Sequence, residues 1–405
     1  MSINSIPPDK SFILPYYTAN QKPSEDYVAP ALPADRYSSR ASFEFEQEAI
    51  FSVSWLCVGR TDQIPLPGDY FSVTIANEPI IVVRGKDNAV RVLSAVCRHR
   101  GHVLAEDAGN TRLFTCPLHH WTFDTMGALV GAPRMDSLDA LKAATRLPEI
   151  RSEHWHGFVF INFDDNAEPL APSLSKVEEC WAGFDDIELV TLPPHFTREP
   201  LPWNWKVQFE NFTDAYHPEF VHPTTHSFAP SQGASGGVEF TRMTALDNCI
   251  MRGVSLLEPD GGMTEKGWGP EAVFPPISSL SDFQRSRITF AMIPPTITLI
   301  FSPSVIGYSL IYPIDAERTL VAGDRLTAGG WILPKSTVDL PDFDDRCEQY
   351  REGSRTIGDE DVPVNMSLQM GKHSRFVPDN HYGPLERTLE QFNAWLNERY
   401  RRYEH

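Results

Sequence analysis

The chain has no apolar run approaching the roughly 20 residues that a membrane-spanning helix needs, so no transmembrane segment is expected. Positive charge is scarce: 35 Lys and Arg stand against 54 Asp and Glu, a formal net charge of −19 over 405 residues. Nucleic-acid binding relies on a basic face and on counterion release, and this acid excess argues against it while leaving room for a small basic docking patch. The first residues lack a basic segment, an apolar core and a small-residue cleavage site, so no secretory leader is expected and the cytoplasm is the default location. Cysteines are few. The six (Cys57, Cys97, Cys116, Cys180, Cys249, Cys347) are spread too widely to read as a disulfide framework. No internal repeat occurs, and no Gly-rich dinucleotide loop follows a strand pattern, so a bound nicotinamide cofactor is not expected. What remains, 41% hydrophobic and 22% charged residues, is a globular composition long enough for two domains.

Residues 1–44 are rich in Pro, Tyr and Ser without a sustained period and are expected to form an irregular arm on the larger domain. From Asp69 the pattern turns to short β-rich runs, Tyr70 to Ala76, Ile80 to Arg84 and Val90 to Leu93, the last two joined by a turn at Gly85 to Asn88. Gly157 to Phe163 closes this small antiparallel β domain, placed at 45–165, and the polar stretch Asp164 to Pro169 reads as a boundary. A larger α+β domain follows at 170–405, with strands expected at Arg287 to Met292, Thr296 to Phe301, Ser309 to Tyr312 and Leu320 to Leu326. Leu385, Leu389, Phe392 and Leu396 share one face of a terminal helix, while Gln232 to Gly237 and 258–280 read as long loops near a substrate entrance.

Two pairs carry the first specific chemistry. Cys97-Arg98-His99 and, beginning nineteen positions on, Cys116-Pro117-Leu118-His119 offer two thiolates and two imidazoles from consecutive loops of the β domain. Thiolates suit iron–sulfur clusters or zinc, and a Rieske cluster specifically replaces two cysteines by two histidines on one iron. Structural zinc is the competitor, yet its knuckles favour Cys-x2–4-Cys over Cys-x-His, so Cys97, His99, Cys116 and His119 are expected to hold a [2Fe–2S] cluster. His102 and His120 lie off the pattern and are expected to be bystanders.

A second constellation runs from Glu210 to His222, with Asp214, His217 and His222 as its core. Asp214 and His217, three apart, are expected to share a helix face. Residues five apart stand about 140° from each other, so the helix is expected to bend before His222, with Pro218 as the break. Two histidines and one carboxylate make the facial triad of O2-activating non-haem Fe(II). The carboxylate must come from elsewhere, and the acidic stretch Gly358 to Val362 offers Asp359, Glu360 and Asp361; His226 is an alternative ligand.

The two boxes, Cys97-Arg98-His99-Arg100-Gly101 and Cys116-Pro117-Leu118-His119-His120-Trp121, resemble those of the α subunits of Rieske aromatic-ring-hydroxylating oxygenases, with His120 where Gly is frequent. His102 and Leu118 stand where respiratory Rieske proteins would carry two further cysteines. The resemblance continues through Asn204-Trp205-Lys206, the iron constellation, and Glu360-Asp361 followed by Gln369 and Gly371, which favours Asp361 as the third iron ligand. It implies a helix-grip-like antiparallel sheet, a mononuclear Fe(II), O2 and a small organic substrate, an NAD(P)H-dependent reductase or ferredoxin as electron source, and a homotrimer. In such a trimer one subunit's cluster faces its neighbour's iron, and Asp214 would bridge His119 to His217.

The implied reaction is mono- or dioxygenation of an aromatic or other small organic molecule, giving a cis-dihydrodiol or an alcohol. The alternative is demethylation of a methylated amine, quaternary ammonium compound or methyl ether. Phe212, Tyr216, Phe220 and Phe290 are candidates for an aromatic cage around a cation, or for packing on an arene. Trp203 and Trp205 read equally as core residues, and Asn211 either touches the iron pocket or satisfies backbone groups. A stand-alone Rieske electron carrier is the distant alternative, which leaves the second half of the chain without a purpose.

Overall fold

A computed structural model describes residues 32–404 except 194–198, 232–236, 242, 244–246, 323–328 and 378–381. The proposed arm at 1–44 therefore lies mostly outside the described residues. Its described part is helical rather than irregular, as Asp35–Ser38 and Arg40–Glu46, because Tyr37, Phe43 and Glu46 are buried and fix a helical face. Contacts divide the chain into one unit at Gln47–Glu168 and a second comprising Pro169–His405 with the residues up to Glu46.

The smaller unit is built from three antiparallel sheets. Asp69–Ile75, Glu78–Arg84 and Val90–Ser94 form successive hairpins, the second turning where the Gly85 amide donates to the Ala89 carbonyl. The central strand Glu78–Arg84 buries Ile80 to Val83 on both faces, as its unbroken β-branched run dictates. Phe158–Asn162 lies between Leu56–Arg60 and Arg151–Trp155. Leu113–Thr115, Thr122–Asp124 and Leu129–Gly131 make the third sheet, whose first turn carries the second Cys/His loop.

The larger unit centres on an eight-stranded antiparallel sheet in the order Leu189–Leu192, Gly330–Pro334, Ile306–Asp315, Ile297–Phe301, Arg287–Ile293, Ile250–Ser255, Val238–Phe240, with Arg318–Ala322 also paired to Ile306–Asp315. Positions 323–326 of the expected strand fall outside the described residues, as do positions 232–236 of the Gly-rich run. The stretch 258–280 is not wholly loop, since Gly262–Thr264 and Gly267–Gly269 pair into a ribbon. The helix Arg387–Glu404 buries Leu389, Phe392 and Leu396, while Leu385 sits in the tight turn before it. Its Thr388 hydroxyl donates to the Thr213 carbonyl and its Trp395 indole to Asn248. Among the described residues no helix is long and apolar enough to cross a membrane.

Two helices position the second constellation. Trp205–Thr213 is capped by the Asn204 side chain, which accepts from the Lys206 amide. Phe343–Gly371 runs for 29 residues and packs on that helix and on the ribbon. Gly353 permits the close approach, because a Cβ there would collide with the Thr264 carbonyl. Both are tied to the segment before Gln47. Fully buried Glu46 accepts from Lys206 Nζ at 2.7 and 2.9 Å, from the Trp205 indole at 3.0 Å and from the Tyr400 hydroxyl at 2.6 Å. The Gln369 amide donates to the Tyr37 carbonyl, and its oxygen accepts from the Asn204 amide.

Burial holds the Lys206 ammonium below its usual pKa, and the Glu46 carboxylate is what keeps a charge tolerable there. Breaking a buried pair from one side leaves an uncompensated charge. Glu46→Ala is therefore expected to destabilise the protein by about 3–5 kcal/mol in denaturant melts, and Glu46→Leu with Lys206→Met by clearly less.

Candidate metal centres

In the smaller unit each Cys/His pair occupies a tight loop of the same form. The Cys97 amide donates to the His102 carbonyl and the Gly101 amide back to Cys97; the Cys116 amide donates to Trp121 and the His120 amide back to Cys116. The residue four after each cysteine carries positive φ, +76° at Gly101 and +58° at His120. That left-handed turn explains why glycine suits position 120 and why a histidine there is a conformational substitution.

The loops bring the four expected donors together. Cys97 and Cys116 are buried and their thiols touch; burial foremost, and then Cys116, raise the Cys97 thiol, while the His99 and Arg100 amides that point at its sulfur work the other way. The rings of His99 and His119 stand 4.6 Å apart, and His99 stacks at 7° on Trp121. His99 Nδ1 is buried without a hydrogen-bond partner. An orphaned imidazole nitrogen beside two thiols and a second imidazole fits a [2Fe–2S] cluster bound through two sulfurs and two nitrogens.

The second centre departs from its expected local structure in two respects. Asp214 and His217 do not share a helix: the first helix stops at Thr213, Asp214 is extended at ψ 127°, and His217 caps the short helix Pro218–Val221. Pro218 starts that helix rather than breaking one, since a proline at the first position has no needed N–H to lose. Asp361 lies inside the helix Phe343–Gly371, two residues before Pro363, with only 6% of its surface exposed.

These three side chains nevertheless converge. His217 Nε2 lies 3.5 Å and His222 Nε2 3.0 Å from the same Asp361 oxygen, a grouping compact enough for one ion. The outer nitrogens are separately engaged: His217 Nδ1 is 3.0 Å from Asp214 Oδ2, and His222 Nδ1 is 2.7 Å from Glu360 Oε2, which also accepts from the Thr225 hydroxyl at 2.7 Å. Imidazoles whose Nδ1–H donates to a carboxylate and whose Nε2 faces a shared centre are oriented as metal ligands. Burial works to lower the His222 pKa, but the Asp361 and Glu360 carboxylates outweigh it and raise it.

The other candidates separate clearly. Asn211 Nδ2 donates to Asp361 Oδ1 at 3.0 Å, so it does touch the pocket. Glu360 points to His222 and not to the centre, and His226 stays outside the ion-sized grouping, its pKa held down to about 3 by burial and then by Arg252 and His222. Trp203 and Trp205 are fully buried, Trp205 packing edge to face on Phe209 and Phe392. Tyr216 and Phe220, 47% and 69% exposed, pack edge to face on each other away from the cavity; the cage expected from four aromatics keeps only Phe212 and Phe290. The cavity of about 80 Å3 beside the triad is also walled by Met263, Trp268, Ile300, Tyr350 and Arg252. Arg252 escaped the sequence reading because a lone arginine in a strand pattern carries no motif.

A Cys/His cluster loop pair and a two-histidine, one-carboxylate centre on separate units define a Rieske-type non-haem iron protein. The chain belongs to the ring-hydroxylating α-subunit family: residues 179–402 match the catalytic domain of the ring hydroxylating alpha subunit, and residues 54–144 match the Rieske [2Fe–2S] domain. Its cofactors are accordingly a Rieske cluster and a mononuclear iron. The chain is 35% identical over 217 residues to the carnitine monooxygenase oxygenase subunit of Acinetobacter pittii (strain PHEA-2), covering 51% of this chain and 57% of the relative. It is also 35% identical over 193 residues to the benzene 1,2-dioxygenase subunit alpha of Pseudomonas putida, covering 45% and 42%. The chain thus spans about half the length of the curated relatives it matches. The structure of a quaternary ammonium Rieske monooxygenase superposes with a TM-score of 0.71 at 25% identity, covering 94% of this chain and 99% of that one. Naphthalene 1,2-dioxygenase from Rhodococcus, at 20% identity and a TM-score of 0.72 over 91% and 94%, shares the fold.

Glu360 holds the outer nitrogen of His222, so Glu360→Ala is expected to weaken mononuclear iron binding by about ten- to a hundredfold, read by metal titration, with the cluster absorbance unchanged.

Proposed function

We propose that this protein is the terminal oxygenase component of a Rieske non-haem iron system, using reductase- or ferredoxin-supplied electrons and O2 to oxidise a small organic substrate. The convergence of His217 Nε2, His222 Nε2 and Asp361 on one point beside an aromatic-walled cavity carries this reading. In it Cys97, His99, Cys116 and His119 hold the cluster, and His217, His222 and Asp361 the iron. When bound, the iron would supply O2 activation and the cluster the electrons for it. The catalytic-domain match counts against a stand-alone electron carrier, and the Rieske [2Fe–2S] domain match counts against zinc.

The chain's own residues do the positioning. Asp214 keeps the proton on His217 Nδ1, and Glu360 does the same for His222, so both Nε2 lone pairs face inward. Asn211 fixes one Asp361 oxygen, and Phe212, Trp268 and Phe290 give the cavity an apolar wall. Asp214 and His217 retain 16% and 17% side-chain exposure, which suits a link reachable from outside the subunit. The reading assigns Asp214 to electron transfer between His119 of one copy and His217 of the next in a homotrimer in the cytoplasm.

A second reading, oxidative demethylation of a methylated nitrogen compound, is favoured by the likeness to carnitine monooxygenase oxygenase subunits. Purified protein with a surrogate reductase, NADH and O2 separates the two: formaldehyde matching the NADH consumed marks demethylation, whereas hydroxylated or dihydrodiol product without formaldehyde marks ring or aliphatic hydroxylation. Asp214→Ala is expected to lose at least about a hundredfold in turnover even at iron concentrations that keep the mononuclear site filled, because the residue links the sites; its loss from His217 Nδ1 also weakens iron binding, as Glu360→Ala does at His222. Retained turnover with intact metals would sink the electron-transfer assignment.

A further inference from the structure

Arg252 is 3% exposed, stands in the sheet strand Ile250–Ser255 and forms part of the iron cavity's wall. Its Nε donates to the Thr213 carbonyl at 2.9 Å, and its Nη2 reaches the Phe212 and Asp214 carbonyls at 3.5 and 3.4 Å. Among the described residues no carboxylate pairs with it and Nη1 has no hydrogen-bond partner. A buried guanidinium matched only to carbonyls is under-compensated, and burial lowers its pKa to about 10, against which only the charge of Asp214 acts.

The sheet fixes where this charge sits. Arg252 is registered opposite Phe290, and Phe290 opposite Ile300, so the three form one cross-strand row on the cavity face. The guanidinium lies 3.9 Å from the centre of the Phe290 ring. The face of Phe290 is thereby occupied, and the neighbouring charge repels a cation placed there. Among the described residues the only carboxylate in the wall is Asp361, which the proposed function commits to iron.

We propose that Arg252 is the specificity anchor of this site and that the substrate carries a carboxylate, held by the Arg252 guanidinium while the rest of the molecule lies towards the iron. The proposal rests on the oxygenase reading above. A carboxylate satisfies the open Nη1 donor and the uncompensated charge together, and a charge-assisted hydrogen bond to a buried guanidinium separates an acid from its neutral amide by at least about tenfold in affinity. The shared chemistry covers two sources, an aromatic acid and a betaine with its ammonium end towards Trp268 or Tyr350, both aromatic residues of the wall that lie off the Arg252 face.

Calorimetry on the iron-loaded, unmutated protein tests this with matched pairs: benzoate against benzamide, and 4-trimethylaminobutyrate against its primary amide. At least one acid is expected to bind about tenfold or more tighter than its amide, and which pair does so separates the two sources. In Arg252→Gln that preference is expected to vanish, while Arg252→Lys keeps part of it; for an acid that is turned over, KM rises in both more than kcat falls. Equal affinity of acid and amide in both pairs, or no binding of either acid at millimolar concentration, overturns the anchor. Failure of the oxygenase reading shows separately, as normal acid preference without oxygen-dependent product from any acid bound.

Discussion

A helix that must stop at Thr213 governs the iron centre. Had Trp205–Thr213 continued, Asp214 and His217 would have projected from a common face and His222 from another. Instead the extended Asp214 turns the chain, and His217 and His222 sit at the two ends of the short helix Pro218–Val221. The stop is held by donors supplied from elsewhere. Arg252 from the sheet and Thr388 from the terminal helix donate to the last carbonyls, which a helix C-terminus leaves without intrahelical partners. At the other end Asn204, Gln369 and the Glu46–Lys206 pair fix the helix start. The ligands can therefore be presented by a nine-residue helix and a four-residue one, neither of which would be stable alone.

Much of the chemistry was legible in the residues, because metal ligation demands particular atoms at short spacing. Cys97, His99, Cys116 and His119 come together as their pairing implies, and the two halves of the antiparallel β pattern fall where alternation and turn residues put them. What sequence spacing could not convey was backbone state. The three-residue gap from Asp214 to His217 fits a helix as well as the turn that forms, and the choice depends on Arg252, 38 residues away. The acidic stretch around Asp361 carries no local sign of burial. Burial by the long helix packing on Trp205–Thr213 is tertiary information. Glu360 was a rival ligand on proximity alone; one position along a helix is a rotation of about 100°, and that rotation is what makes one carboxylate face the centre and its neighbour face His222 from behind.

The same logic bears on the aromatic residues. Tyr216 and Phe220 belong to the motif by position but leave the cavity, since the turn at Asp214 throws them outward. Phe290, far away in sequence, enters it because strand pairing sets it opposite Arg252 and Ile300. A cavity wall is written in the register of the sheet, where neighbours are dozens of residues apart, whereas a metal site is written largely in short motifs. That difference explains why reaction class could be read from this chain more readily than substrate.

The charge around the iron follows from that division. Three carboxylates serve the two histidines: Asp361 faces them, while Asp214 and Glu360 stand behind. Asp214 and Glu360 are needed to orient the rings, and Asp361 to complete the triad, so the ligand chemistry concentrates negative charge there that a bound iron would offset only in part. Arg252 opposes that concentration from the sheet side, close to Asp214 yet paired with its backbone and not its carboxylate. Its position is constrained twice, once by the helix end it terminates and once by the cavity it lines. A neutral residue of similar reach could meet the first demand through hydrogen bonds, and only the second gives its charge a use. The carbonyls of Phe212 to Asp214 explain why a donor is needed there, while the charge, which no wall carboxylate pairs with, is left for what enters the cavity.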